Sequence, residues 1–188
     1  KIEQDGLIYS IQEDNKTVSI IGIQPNIVEI DIPSSINYKS INYNITSISE
    51  SAFRLTQIQS VRFSPDSKIQ IIGKESFSET QIETISIPPT VTTICESAFY
   101  LCEKLKTVEI PENSQLQTVE SHIFCSTPIE RFTIPTNLIE LNPVCFAGMD
   151  NLNQVIVSPD NQRYSMYDEK FLICKSSEES ENKDMIVF

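Results

Sequence analysis

The stretch VTTICESAFYLCEKLKTVEIP, Val91–Pro111, sets two apolar rhythms around one phenylalanine. Val91 and Ile94 precede Phe99. Leu105, Val108 and Ile110 follow it as apolar-x-x-apolar-x-apolar, closed by Pro111. Phe99 has equivalents at Phe53, Phe77, Phe124 and Phe146, and the five stand 24, 22, 25 and 22 residues apart in chain order. The upstream pairs are Ile45/Ile48, Ile69/Ile72, Leu116/Val119 and Leu138/Leu141. The downstream runs are Ile58/Val61/Phe63, Ile82/Ile85/Ile87, Ile129/Phe132/Ile134 and Leu152/Val155/Val157. Six positions that stay apolar through five units, in a chain only 39% hydrophobic, make a genuine repeat.

The last two apolar positions of each run alternate with polar ones, which predicts a short strand with one buried face. A proline directly after the run (Pro88, Pro111, Pro135) or one residue later (Pro65, Pro159) ends ladder pairing by removing an N–H. A period of 22–25 residues lies in the leucine-rich-repeat range, with one strand per coil. Such a coil cannot fold alone, so stacking on its neighbours must complete its core, with the phenylalanine column as spine. The expected fold is a leucine-rich-repeat solenoid: mainly β, with short strands, turns or short helical segments, and a curved sheet of one strand per repeat.

Four segments follow. Residues 1–26, where GLIYSI and TVSIIGI flank QEDNK, read as a β-hairpin cap, and 27–44 as a degenerate first repeat with the polar insertion SSINYKSINYN. Residues 45–157 hold the five repeats. Residues 158–188, with KFLICK and DMIVF around the acidic SSEESENKD, read as a capping hairpin or the start of a further repeat. Glycine is scarce, at 4 residues, so few positions can adopt positive φ cheaply.

The units Ile45–Pro65 and Val91–Pro111 resemble the Bacteroides surface protein A-like, or Treponema-type, leucine-rich repeats. The apolar-x-x-Ile, Ala-Phe, Cys three residues on, and apolar-x-x-Ile-x-Ile-Pro pattern is complete at Val91–Pro111. The likeness covers roughly Ile27 to Pro159, and Ser158–Ile173 resembles the family's terminal stretch. Ser76, Ile123 and Cys145 depart from the family alanine, and only Cys102 keeps the cysteine. The resemblance implies a surface or secreted protein that acts as an adhesin for host cells, matrix proteins or other microbes, and the opening KIEQDG, without an initiator Met, reads as part of a longer polypeptide.

The residues themselves argue against several function classes. A net charge of −12 repels nucleic-acid phosphates and anionic membrane surfaces. No run of 18 apolar residues is present, so no membrane insertion by this segment is expected. The single histidine, His122, reads as a turn residue; no glycine-rich phosphate loop or calcium loop stands out, and neither catalysis nor a cofactor is expected. The five cysteines, at irregular spacing, read as free core residues.

Binding is the expected role, by a monomer, of a protein or glycan ligand along the concave face. Its columns are Glu29, Ser60, Thr84, Thr107, Arg131, Gln154 and Asp31, Arg62, Ser86, Glu109, Thr133, Ile156, with Arg62 and Arg131 as anchors. Tyr38 and Tyr43 of the insertion are second contact candidates. Asn15 and Asn44 open glycosylation sequons in expected loops. Two alternatives stay open: an intracellular scaffold or regulatory domain, favoured by the free thiols, and an accessory domain beside an enzyme.

Overall fold

Each coil runs from a two-residue strand through a phenylalanine-centred turn to a second strand, and the coils stack in register. In the computed structural model, residues 1–167, 171–174 and 185–187 are described. At the N-terminus, β1 (Ile2–Gln4), β2 (Leu7–Ile11) and β3 (Thr17–Ile23) pair antiparallel. Then come β4 (Glu29–Ile32), β5 (Ser35–Tyr38) and β6 (Ile41–Ile48). The repeats add β7 (Ser60–Phe63), β8 (Ile71–Ile72), β9 (Thr84–Ser86), β10 (Thr93–Ile94) and β11 (Thr107–Glu109). They finish with β12 (Thr118–Val119), β13 (Arg131–Ile134), β14 (Glu140–Leu141) and β15 (Gln154–Val157). An antiparallel sheet of β16 (Tyr164–Tyr167), β17 (Phe171–Cys174) and β18 (Met185–Val187) closes the chain.

Two strands per coil, rather than the expected one, build two faces. The shorter strands form a continuous parallel ladder, β6–β8–β10–β12–β14, and β3 joins it through β6. The longer strands pair in three parallel ladders, β4–β7, β9–β11 and β13–β15. Between the faces lies the core. Phe53, Phe77, Phe99 and Phe124 stack with ring centroids 4.9, 5.3 and 5.4 Å apart. The column then steps sideways: Phe132, from β13, bridges Phe124 at 5.5 Å and Phe146 at 5.6 Å. Aromatic contacts of this kind add about 0.5–1.5 kcal/mol each beyond area burial.

Turns replace the short helical segments that the spacing allowed, and hydrogen bonding explains why. Within each coil alternate amides reach back three residues, as in Ala52→Ser49, Arg54→Ser51 and Thr56→Phe53. The intervening amides instead point to the next coil: Ser51 to Lys74 O at 2.9 Å, Phe53 to Ser76 O at 2.8 Å and Leu55 to Ser78 O at 3.0 Å. Glu75, Phe77 and Glu79 repeat the pattern on Glu96, Ala98 and Tyr100, and Ser97, Phe99 and Leu101 on Ser121, Ile123 and Cys125. A helix would send every amide back along its own coil and leave none for stacking. The alternation needs left-handed φ two residues before and two after the phenylalanine. Ser51, Glu75, Ser97 and His122 supply the first position, and Leu55, Glu79, Leu101, Ser126 and Gly148 the second. Among the described residues 13 non-glycine residues adopt positive φ; the eight beside the phenylalanines do so at a cost in strain and are held by bonds between coils, and the others lie in other turns.

The hydroxyl three residues after the phenylalanine closes the turn. Thr56, Thr80 and Thr127 donate to the carbonyls of Phe53, Phe77 and Phe124 at 2.6–2.8 Å. Cys102 takes that column in the third unit, its Sγ 3.0 Å from Phe77 O.

The first and last coils carry additional strands and side-chain bonds. At the N-terminus the Asp5–Gly6 turn, with φ of 50° and 80°, joins β1 to β2. This two-residue Asp-Gly signal marks a hairpin that the sequence reading passed over. The insertion is itself a hairpin, β5–β6, turned by Lys39–Ser40 with φ of 51° and 64°. It is structural as well as polar, since it buries Ile36 and Tyr43. At the other end, Tyr164 Oη accepts from Leu141 N at 2.9 Å and donates to Ile139 O at 3.2 Å, supplying bonds that a further coil would make. Buried Asn161 donates to Pro135 O and Leu138 O and accepts from the amides of Arg163 and Tyr164. β17 and β18, within KFLICK and DMIVF, pair antiparallel. The SSEESENKD run and the side chain of Cys174 lie outside the described residues.

Cys95, Cys102, Cys125 and Cys145 are free. Cys102 and Cys145 are core residues, whereas Cys95 and Cys125 are only partly buried. Burial pushes the Cys145 thiol up to about 12 and raises Cys102 as well, so both stay protonated.

Two stability predictions follow from these local costs. Leu55 is 62% exposed and left-handed, so Leu55→Gly removes a strain of about 1–2 kcal/mol against a glycine entropy of about 0.5–1 kcal/mol. Urea unfolding is expected to show a gain of up to about 1 kcal/mol, and a loss would contradict the strain assignment. Tyr9 is fully buried, its hydroxyl has no hydrogen-bond partner, and burial followed by the charge of Asp5 pushes it up to about 12. A folded-state value above the unfolded 10.0 means full stabilisation below pH 10, lost as pH rises toward 12. Tyr9→Phe should flatten that limb of a stability-versus-pH curve and raise stability by about 1 kcal/mol at neutral pH.

Candidate binding face

Inward side chains of the longer strands fill the core, so the side chains between them point out of the solenoid. The ladders place Glu29 beside Ser60 and Asp31 beside Arg62, Thr84 beside Thr107 and Ser86 beside Glu109, and Arg131 beside Gln154 and Thr133 beside Ile156. All twelve lie on the face read from the sequence, most of them exposed, with Ser60 and Thr133 partly buried.

The two arginines differ. Arg62 Nε donates to Asp31 Oδ1 at 2.6 Å and Nη2 to Oδ2 at 3.3 Å, while Nη1 sits 3.7 Å from Glu29 Oε2. The Arg62 bonds hold the Asp31 carboxyl below its ordinary range. Arg62 is thus engaged across two coils and is not a free anchor. Ser86 likewise donates to Glu109. Arg131 makes no ion pair or side-chain hydrogen bond among the described residues. The first coils of this face satisfy one another, and the last coils do not.

Clefts follow both margins of the face. At the strand starts, Lys106, Thr107, Val108, Pro128, Glu130 and Arg131 line a cleft of about 510 Å³ that Thr133, Asn151 and Asn153 complete. Lys106, Asn151 and Asn153 were not singled out from the sequence, because only residues between buried strand positions were considered. The position just before each strand, which runs Glu83, Lys106, Glu130, Asn153, was the available signal. At the strand ends the prolines edge a groove. Its segments hold about 450, 570 and 570 Å³ and share Arg62, Phe63 and Pro65, then Ile110 and Pro111.

The remaining candidates fall elsewhere. Tyr43 is in the core, only 5% exposed, because its strand alternation turns it inward beside Ile45, so it presents no surface for contacts. Tyr38 is partly exposed, with Lys39 Nζ 5.2 Å from its ring centroid. Asn15 sits in an exposed turn, where Asp14 accepts from the amides of Lys16 and Thr17. Asn44 is not in the expected loop: it lies within β6, paired with Ser35 and with Thr17. His122 is an exposed turn residue with φ of 54°.

A family profile described as BspA type leucine rich repeat region matches six copies, over residues 31–153 and 70–179. No curated protein matches the chain. Three solved structures share the fold at low identity. The pneumococcal vaccine antigen PcpA superposes with a TM-score of 0.74 at 17% identity, over 93% of this chain and 53% of that one. A leucine rich cell surface protein from Faecalibacterium prausnitzii gives 0.54 at 20% identity, over 98% and 59%. The leucine rich repeat protein of T. pallidum gives 0.71 at 18% identity, over 82% and 70%. The chain thus spans little more than half the length of the first two. With its spine, its two-strand coils and its six matched copies, this chain belongs to the BspA type leucine-rich-repeat family.

Proposed function

We propose that the chain is a non-catalytic recognition module of a surface or secreted protein, and that it engages a protein or glycan ligand through the outward side chains of its longer strands. One observation carries the reading. Inward positions repeat from coil to coil, whereas outward ones change from Thr84 to Thr107 to Arg131 to Gln154, beside clefts along the same face. Uniform stacking needs no such variation, while recognition of a defined partner uses it. Two of the solved relatives, PcpA and the Faecalibacterium prausnitzii protein, are described as a vaccine antigen and a cell surface protein, which agrees with a surface setting.

A second reading, an intracellular scaffold with the same binding face, is favoured by the four thiols that are unpaired among the described residues, two of them partly exposed. Expression in the source cell with a protease-accessibility assay separates the two settings.

Binding of the purified chain to intact host cells and immobilised matrix proteins tests the role itself. Saturable binding should fall at least about tenfold in a Thr107→Glu, Arg131→Glu variant, as expected for charge reversal at a hot spot. It should persist in Gln117→Glu, which alters the exposed residue before β12. Equal loss in both, with circular dichroism unchanged, would move the site off this face. Absence of binding by the wild-type chain would overturn the adhesive role.

A further inference from the structure

The cleft at the start of β11 and β13 gathers two cations, an acid, two amides and two hydroxyls that are all unengaged. None of the side chains of Lys106, Thr107, Glu130, Arg131, Thr133, Asn151 and Asn153 makes a hydrogen bond or ion pair among the described residues. Among the twelve outward strand residues the other cation, Arg62, is tied to Asp31, and off this face Arg54 pairs with Glu75 and Glu79 and Lys74 with Glu96. In a chain of net charge −12, two unpaired cations in one cleft form a local exception to the overall field.

We infer that this cleft is a binding site for a saccharide that carries a carboxylate, such as a terminal sialic acid or a uronic acid. The inference rests on the recognition role proposed above and names its ligand class. A guanidinium takes a carboxylate in a two-pronged grip, and Lys106 adds a second positive charge. Two amides, two hydroxyls and one carboxylate supply both donors and acceptors, which is what the several hydroxyls of a sugar ring need. Val108 and Pro128 give a small apolar patch for the ring's C–H face. The volume of about 510 Å³ suits a small ligand, and the lining comes from three successive coils. An acidic peptide fits less well, because Glu130 opposes a second carboxylate while neutral hydroxyls can donate to it.

Isothermal titration of the whole chain with three probes tests this: 3′-sialyllactose, lactose, and a hyaluronan tetrasaccharide. The inference expects at least one acidic saccharide to bind about tenfold or more tightly than lactose, and the two acidic probes distinguish a sialic from a uronic source. Arg131→Gln should remove that preference, Lys106→Gln should weaken it, and Asn153→Ala should lower affinity for all three probes. Arg62→Gln, whose guanidinium is tied to Asp31, should leave all three unchanged. Equal affinity for lactose and the acidic saccharides, no saccharide binding, or preference for a polyglutamate peptide would each overturn the assignment. Host-cell binding that survives sialidase and hyaluronidase treatment would sink this ligand class and leave the recognition role standing. Loss of all cell binding in untreated samples would instead remove the role.

Discussion

The amide bonds between successive coils around the phenylalanine column are the constraint on which the molecule depends. They dictate an alternation, with one amide turned back along the coil and the next aimed at its neighbour. That alternation forces left-handed φ on serine, glutamate, leucine and histidine at about 1–2 kcal/mol each. The stack repays the strain collectively, because each coil gains bonds, ring contacts and buried area only when the next is present. The first and last described coils are finished differently from the rest. A hairpin pair enters the ladder through β3 and β6, and Tyr164 and Asn161 finish the last coil with side-chain atoms in place of backbone.

Much of the architecture was legible in the sequence because hydrophobic spacing records burial directly. The phenylalanine column and the apolar pairs before it all proved to be buried, the runs after it are buried or, at Phe63, Val108, Ile110, Leu152 and Val157, partly buried against the core, and the family pattern at Val91–Pro111 pointed to the stacked arrangement. Less legible was anything set by backbone direction. The two-residue strands at Ile71–Ile72 or Thr93–Ile94 are too short for a period-2 signal. Left-handed Glu79 or Leu101 leaves no compositional trace, since neighbouring coils rather than residue type impose the conformation. Tyr43 and Asn44 were misread for a related cause: a polar, asparagine-rich stretch resembles a loop, yet as β6 it sends alternate residues into the core.

The face that emerges is uneven in how its polar groups are satisfied. Near the N-terminal end, Asp31, Arg62, Ser86 and Glu109 are spent on one another, so they brace adjacent coils, though exposed pairs of this kind contribute little to stability. Toward the C-terminal end, Arg131 and its surroundings make no side-chain hydrogen bond or ion pair among the described residues. Sequence columns showed which residues share the face. Which of them are already partnered depends on side-chain geometry across coils, and this separates Arg62 from Arg131 despite their equal promise as anchors.

Native-state hydrogen exchange, read amide by amide, tests the ladder most directly. The amides of Phe53, Phe77 and Phe99, with those of the left-handed residues beside them, should exchange only through cooperative unfolding, with protection equal to that of the β8–β10–β12 strands. Exchange at those positions as fast as in the exposed turn around Asn15, while the strands stay protected, would show that the turns ride on the strands rather than hold the stack.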